Sequence, residues 1–357
     1  MHRLKQKLLL KTNRNYRKIQ TATHKLNYLF WECTLRCNLN CLHCGSDCHV
    51  NSAVKDMPAA DFLKVIDKLP AICNPNETLI VLTGGEPLVR KDIANVGIEL
   101  YKRGFPWGMV TNGLLLNNTR LNKLMNAGMR TLTISLDGLE ESHDWLRNIK
   151  GAFGKTLKAI ELAAAEKDLK FDIVSCVNPR NLNELPELAK LLISKGVKSW
   201  RLFSIFPKGR AELNRLVLNN PNDVKYLMNF IEQTRAEGKI MASFGCEGFL
   251  GSYEYKVRNH GFFCRAGITV GSVLADGSIS ACPSLDKEFT QGSIYTDEFN
   301  DVWQNRYQIY RNRDWAKTGI CKNCKQWDNC LGNGLHLRNP EQEGPLYCHY
   351  KILFPKK

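Results

Sequence analysis

Six short runs rich in β-branched, aromatic and other apolar residues, at 28–31, 78–82, 107–110, 131–136, 171–177 and 200–206, constrain the fold of this chain most. Between them lie stretches with helical spacing, at 61–69, 93–102, 121–125, 157–165 and 185–193. Strands separated by helices are joined by crossovers, so the pattern predicts βα units and a parallel α/β sheet. Gly104, Gly128 and Gly196 follow three of the helical stretches, where a glycine ends a helix readily. A doubly wound sheet and a barrel both satisfy this periodicity. Past about residue 238 the rhythm changes, and 268–275, Asp276-Gly277 and 278–282 read as a β-hairpin with a tight type I′ turn. The remaining chain is short of long apolar runs and rich in Gly and Cys, so a metal is expected to hold it together.

The 357 residues suffice for about two domains, and 43% hydrophobic with 24% charged residues excludes wholesale disorder and collagen-like architecture. No apolar run approaches the ~20 residues that a membrane-spanning helix needs. The basic start holds only Leu8-Leu9-Leu10 as an apolar stretch, too short for a secretory signal, so a soluble cytoplasmic protein is expected. In that setting fourteen cysteines point to metal ligands or catalytic groups before disulfides. Cys33, Cys37, Cys41, Cys44 and Cys48 gather near the start, and Cys264, Cys282, Cys321, Cys324, Cys330 and Cys348 towards the end. Cys73 and Cys176 suit small buried hydrophobes. The first 26 residues carry Arg3, Lys5, Lys7, Lys11, Arg14, Arg17, Lys18 and Lys25 and no acid. They read as a basic helical arm, either lying on an acidic partner or RNA or, more simply, a solvated face.

Directly after the first strand comes Cys37-Asn-Leu-Asn-Cys41-Leu-His-Cys44. Three thiolates so spaced can wrap one side of a cluster from a single loop. A [4Fe–4S] cluster is usually held by four cysteines, so three leave one iron open. Structural zinc wants four closed ligands, and Cys33 or Cys48 can supply a fourth, so the local pattern leaves zinc open.

This Cys-x3-Cys-x2-Cys loop resembles the signature of the radical S-adenosylmethionine (SAM) superfamily, and further motifs follow in order along the chain. Gly84-Gly85-Glu86-Pro87 ends the second strand, Thr111-Asn112-Gly113 the third and Ser135-Leu136-Asp137-Gly138 the fourth. His143-Asp144, Arg147 and Gly151-Ala152-Phe153 come next, as in the peptide-modifying branch; Val177-Asn178 ends the fifth strand and 207–211 the sixth. In barrel-like α/β folds ligands sit where strands end and loops converge.

The resemblance implies a partial (β/α)6 TIM-type barrel in which a reduced cluster splits SAM to a 5′-deoxyadenosyl radical that abstracts hydrogen from substrate. On this mapping Cys37, Cys41 and Cys44 are cluster ligands, and His43 sits near adenine. Gly84, Gly85, Glu86 and Pro87 hold the methionine end, with Glu86 accepting from its ammonium. Ser135, Asp137 and Arg147 contact ribose and carboxylate. A flavodoxin- or ferredoxin-type electron donor is implied.

Cys264-x12-Gly277-x4-Cys282, Cys321-x2-Cys324-x5-Cys330 and Cys348 resemble the SPASM extension of these enzymes, which binds one or two auxiliary clusters. The family pattern has a cysteine four residues after Cys330, where this chain has Gly334. One complete auxiliary [4Fe–4S] site is therefore expected, from Cys321, Cys324, Cys330 and Cys348, with zinc the alternative. A second, left with Cys264 and Cys282, is lost or incomplete unless Cys246 rescues it. Pro283-Ser284 follow Cys282 where sulfatase-maturing relatives have an aspartate, and Asp286 reads as a solvated loop acid.

The resulting domains are a basic helical arm over 1–26, a radical SAM core over 27–238, and a small Cys-rich α+β SPASM-like domain over 239–357. The expected function is hydrogen abstraction from a peptide or protein substrate. Small-molecule or tetrapyrrole maturation is the alternative, and a zinc- and RNA-binding protein is the distant one. No membrane span and no nucleic-acid partner are expected.

Overall fold

The computed structural model describes residues 3–245 and 247–355. Cys246 lies outside them. Strands β1 (Tyr28–Thr34), β2 (Leu79–Gly84), β3 (Trp107–Thr111), β4 (Met129–Ser135), β5 (Lys170–Val177) and β6 (Ser199–Ser204) run parallel, each paired with the next. Helix α1 (Arg3–Thr23) precedes them. Helices α2 (Ala59–Lys68), α3 (Ile93–Lys102), α4 (Asn118–Asn126), α5 (Glu140–Arg147), α6 (Ala152–Ala165) and α7 (Leu185–Ser194) lie between successive strands. Gly104, Gly128 and Gly196 each adopt positive φ just past a helix, as a C-terminal glycine should.

The six expected strands and five expected helices are all present, with boundaries moved by a few residues. Helix α5, the short α8 (Arg210–Leu213) and α9 (Pro221–Glu237) are additional. The sheet also continues past residue 238. β7 (Met241–Phe244) pairs parallel to β6, and β8 (Val270–Val273) pairs parallel to β1 at the opposite edge. β9 (Ser278–Ser280) and β10 (Gly292–Ser293) follow antiparallel, giving the order β10-β9-β8-β1-β2-β3-β4-β5-β6-β7, an open rather than closed barrel. The β8–β9 hairpin forms as expected, but its turn is not type I′. Gly277 has φ +88° whereas Asp276 is not left-handed, and the N–H of Gly277 donates to the Leu274 carbonyl. That is a type I turn ending in a left-handed glycine.

Strand side chains alternate between two environments. Leu29, Trp31, Ile80, Leu82, Trp107, Met109, Leu132, Ile134, Ile173, Trp200 and Leu202 are buried with apolar helix residues in one continuous core. Trp31 stacks on Phe62 of α2 at 4.4 Å between ring centroids, worth ~1 kcal/mol beyond its buried area. The opposite face turns Tyr28, Glu32, Thr83, Val110, Ser135, Asp172, Cys176, Arg201 and Phe203 inward, a mostly polar lining. Thr133 donates to Asp172 at 2.7 Å, and Arg201 is ion-paired with the same carboxylate.

Helix α1 is not a free basic face. Buried Arg17 donates to the Asp328 and Asn329 carbonyls, Arg14 donates to the Asn329 side chain at 2.8 Å, and Tyr255 donates to the Leu9 carbonyl. The arm is docked on the cysteine-rich segment. No helix of the described residues is long and apolar enough to cross a membrane.

Candidate active site

The β1–β2 register shifts between Glu32 and Thr34, and beyond Thr34 the chain turns across the end of β2. The amide of Gly85 donates to the Thr34 carbonyl at 2.8 Å, and that of Glu86 to the Arg36 carbonyl at 3.0 Å. A Cβ on Gly85 would lie 2.3 Å from the Arg36 carbonyl oxygen and 3.1 Å from Cys37 Cβ; on Gly84 it would lie 2.0 Å from the Thr34 oxygen. The Gly-Gly pair therefore admits the cysteine loop itself. Arg210 of α8 fastens the far side, donating from Nε to the Cys41 carbonyl at 2.7 Å and from its backbone N–H to the Cys44 carbonyl at 3.1 Å.

So held, Cys37, Cys41 and Cys44 line one cleft of about 200 Å³, together with His43, Gly84, Gly85, Ser135 and Arg147. Cys48, Asn112 and Arg210, outside the expected ligand set, line it too. Asn112 donates to Asn38 Oδ1 at 2.8 Å and sits 4.0 Å from Cys37 Sγ. Its place in Thr-Asn-Gly at the end of the third strand was the signal for it. Cys33 points the other way, into the hydrophobic core, and burial pushes its thiol far up. It is no ligand.

Burial raises the Cys37 thiol to about 12 and also raises Cys41, where Arg147 opposes it. Hydrogen bonding to Cys48 holds the Cys44 thiol below its ordinary value. His43 is pressed down to about 4 by burial, so its imidazole is neutral, and its Nδ1 is shielded without a partner.

Glu86 is fully buried, and its carboxylate accepts from Leu88 N–H at 3.0 Å, Thr111 Oγ1 at 2.8 Å and Asn112 N–H at 2.7 Å. Burial raises its pKa against those bonds. Three of its roughly four acceptor positions are thus committed to joining the ends of β2 and β3, and the carboxylate lies behind Gly85 and Asn112 rather than among the residues that line the cleft. Pro87 is buried behind it and begins a 3-10 turn.

Asp137 does not reach the cleft. It is fully buried, accepts from Cys176 N–H at 2.9 Å and is ion-paired with Arg147 at 2.7 Å. The polypeptide around it supplies the partners that a ribose was expected to supply. Arg147 lines the cleft, with Nη1 3.7 Å from Cys41 Sγ. Burial works against its charge, but Asp137 and Cys41 raise its pKa overall. Cys176, expected to be an inert buried residue, sits instead with His43 and Asp137, their ligand atoms within 4.8 Å of one another. The Arg147 guanidinium already neutralises that trio.

At the other cysteine-rich end, Cys321, Cys324, Cys330 and Cys348 line a single cavity of about 20 Å³ with Ile320, Trp327 and Tyr350. Arg338 Nη1 lies 3.8 Å from Cys321 Sγ, and the Asn333 N–H donates to Cys330 Sγ at 3.2 Å. Cys264 and Cys282 stand outside this cavity, packed on the main core. Asp286 is ion-paired with Lys208 at 2.6 Å, so it is not simply solvated. Cys73 is buried as expected.

Zinc would draw four sulfurs to ~2.3 Å from a single point. Among the described residues, no three thiols of either group lie within 4.8 Å of one another.

An open α/β barrel with three thiols at one mouth and a four-thiol pocket in an appended module is the architecture of a cluster-dependent barrel enzyme. The chain carries a radical SAM domain, the model of that superfamily matching residues 31–192, and a SPASM domain, an iron–sulfur cluster-binding domain whose model matches residues 264–325. A radical SAM domain carries a [4Fe–4S] cluster and SAM, and a SPASM domain binds auxiliary iron–sulfur clusters. The AdoMet-dependent heme synthase of Methanosarcina barkeri (strain Fusaro / DSM 804) is 28% identical over 92% of this chain and 98% of that protein. The mycofactocin maturase MftC of Mycobacterium ulcerans (strain Agy99) is 27% identical over 88% of this chain and 86% of its own. Among solved structures, native anSMEcpe with bound AdoMet superposes with a TM-score of 0.72 over 92% of this chain and 96% of that one, at 19% identity.

Proposed function

We propose that Cys37, Cys41 and Cys44 ligate the catalytic cluster, that SAM occupies the cleft beside them, and that the substrate is a carboxylate-bearing tetrapyrrole. The observation that carries the substrate class is the match to a heme synthase along 98% of that protein's length. When bound, the cluster and SAM supply one-electron cleavage of the sulfonium and the hydrogen abstraction that follows. Electrons come from a flavodoxin- or ferredoxin-type donor.

The residues of this chain do the placing. Gly84 and Gly85 let the cysteine loop lie against the end of β2. Glu86 braces the β2 and β3 loops. Arg147, fixed by Asp137, sets a guanidinium N–H beside the Cys41 sulfur. Ser135 and His43 face the nucleoside side of the cleft. Cys321, Cys324, Cys330 and Cys348 hold an auxiliary [4Fe–4S] cluster.

The maturase relative favours a second reading, a peptide substrate. The two separate when the reduced, reconstituted enzyme is given SAM with porphyrin carboxylic acids or with candidate precursor peptides. Mass analysis is expected to find a porphyrin product formed in step with 5′-deoxyadenosine. A mass change confined to a peptide would overturn the tetrapyrrole reading.

A further inference from the structure

We propose that His336 stands in for the cysteine missing at position 334 and, with Cys264 and Cys282, ligates a second auxiliary iron–sulfur cluster. This rests on the reading that the cysteine-rich module carries clusters.

A Cβ built on Gly334 would fall 2.6 Å from His336 Cε1 and 2.9 Å from its Nδ1. No side chain at 334 can coexist with the imidazole where it now stands. The two are alternative fillings of one volume, and here a nitrogen donor fills it. The Gly334 N–H is anchored on the Glu247 carbonyl at 2.9 Å, so the backbone bearing this volume is fixed.

The donor is available. His336 Nε2 is shielded from solvent and has no hydrogen-bond partner, a state that costs free energy unless something else occupies the lone pair. Burial holds the imidazole neutral, the form that binds metal. Phe206 packs on the ring at 4.8 Å between centroids and fixes its plane.

Both remaining thiols are tethered to the same neighbourhood. Buried Arg313 lies within hydrogen-bonding reach of Cys264 and donates to the Asn333 carbonyl at 2.8 Å, one residue from Gly334. Lys208, two residues past the Phe206 that packs on His336, donates to the Ser284 carbonyl at 2.8 Å, two residues past Cys282. The three donors come from separate segments and are not gathered to single-ion distance among the described residues, as in the other two cysteine sets. Two sulfurs and one imidazole hold a cluster with one iron open, and replacing sulfur by histidine raises a cluster's potential.

The test uses the full chain, reconstituted anaerobically without SAM, with Cys37, Cys41 and Cys44 changed to Ala to silence the first cluster. Iron and sulfide are counted, and the dithionite-reduced protein is examined by pulsed electron paramagnetic resonance for nitrogen coupling. Roughly eight irons per chain and an imidazole nitrogen coupling are expected. His336→Ala, and His336→Phe, which fills the space without a donor, should each lose roughly four irons and the coupling while the other cluster's signal persists. His336→Cys should keep the iron and lose only the coupling. Roughly four irons that His336→Ala leaves unchanged, or absence of nitrogen coupling, would overturn the proposal. Absence of all iron from this background would overturn the parent reading instead.

Discussion

Three donors from the ends of two strands meet on the Glu86 carboxylate. Glu86→Ala would orphan them in a buried setting, where each unsatisfied group costs about 1–3 kcal/mol. A loss of roughly 3 kcal/mol in denaturant unfolding is expected; a change within about 0.5 kcal/mol would mean that the carboxylate braces nothing. Glu32, inside the barrel near its mouth, is another strongly perturbed acid. Burial lifts it from 4.5 to about 7, so the folded state holds its proton more tightly than the unfolded chain. Its contribution is fully present below 4.5 and is lost as pH rises through about 7. Glu32→Gln should flatten that part of the stability profile, gaining up to about 3 kcal/mol over the parent at pH 8. Unfolding midpoints with the same slope between pH 5 and 8 for both proteins would refute this.

The cysteine loop and α1 act as elements rather than as single side chains. Gly85→Ala sets a methyl group against the Arg36 carbonyl and Cys37, backbone that cannot yield without moving the loop. Loss of the loop's iron is expected while far-ultraviolet circular dichroism stays near the parent; full iron occupancy would show that the loop tolerates the shift. Arg17→Ala removes the bonds from α1 to the carbonyls beside Cys330. It should destabilise the protein by about 2 kcal/mol and lower auxiliary iron, read from the melting temperature and metal content. The strand and helix pattern was legible because each βα unit carries its own periodicity. The docking of α1 was not, since a basic amphipathic helix reads alike whether its arginines meet water or carbonyls 311 or 312 residues away. The three-thiol loop was legible because its residues are neighbours in sequence. The surroundings of Asp137 were not legible for the opposite reason: its partners, Arg147 and Cys176, come from α5 and β5.

At the scale of the whole molecule, one sheet runs from the barrel into the module that carries the second set of cysteines, because β8 pairs with β1 and β9 with β8. That continuity was hidden in the sequence, where 268–282 reads only as a local hairpin; pairing across some 240 residues leaves no local signal. The shared sheet thus ties the strand that leads into the first cysteine loop to the hairpin that ends two residues before Cys282. The central claim is that Cys37, Cys41 and Cys44 leave one position at which SAM is cleaved. Quantifying 5′-deoxyadenosine from the reconstituted, dithionite-reduced protein beside its Cys41→Ala variant tests it most directly. The parent should form 5′-deoxyadenosine over repeated turnovers and the variant none while remaining folded. A folded Cys41→Ala protein that still makes it would contradict the account.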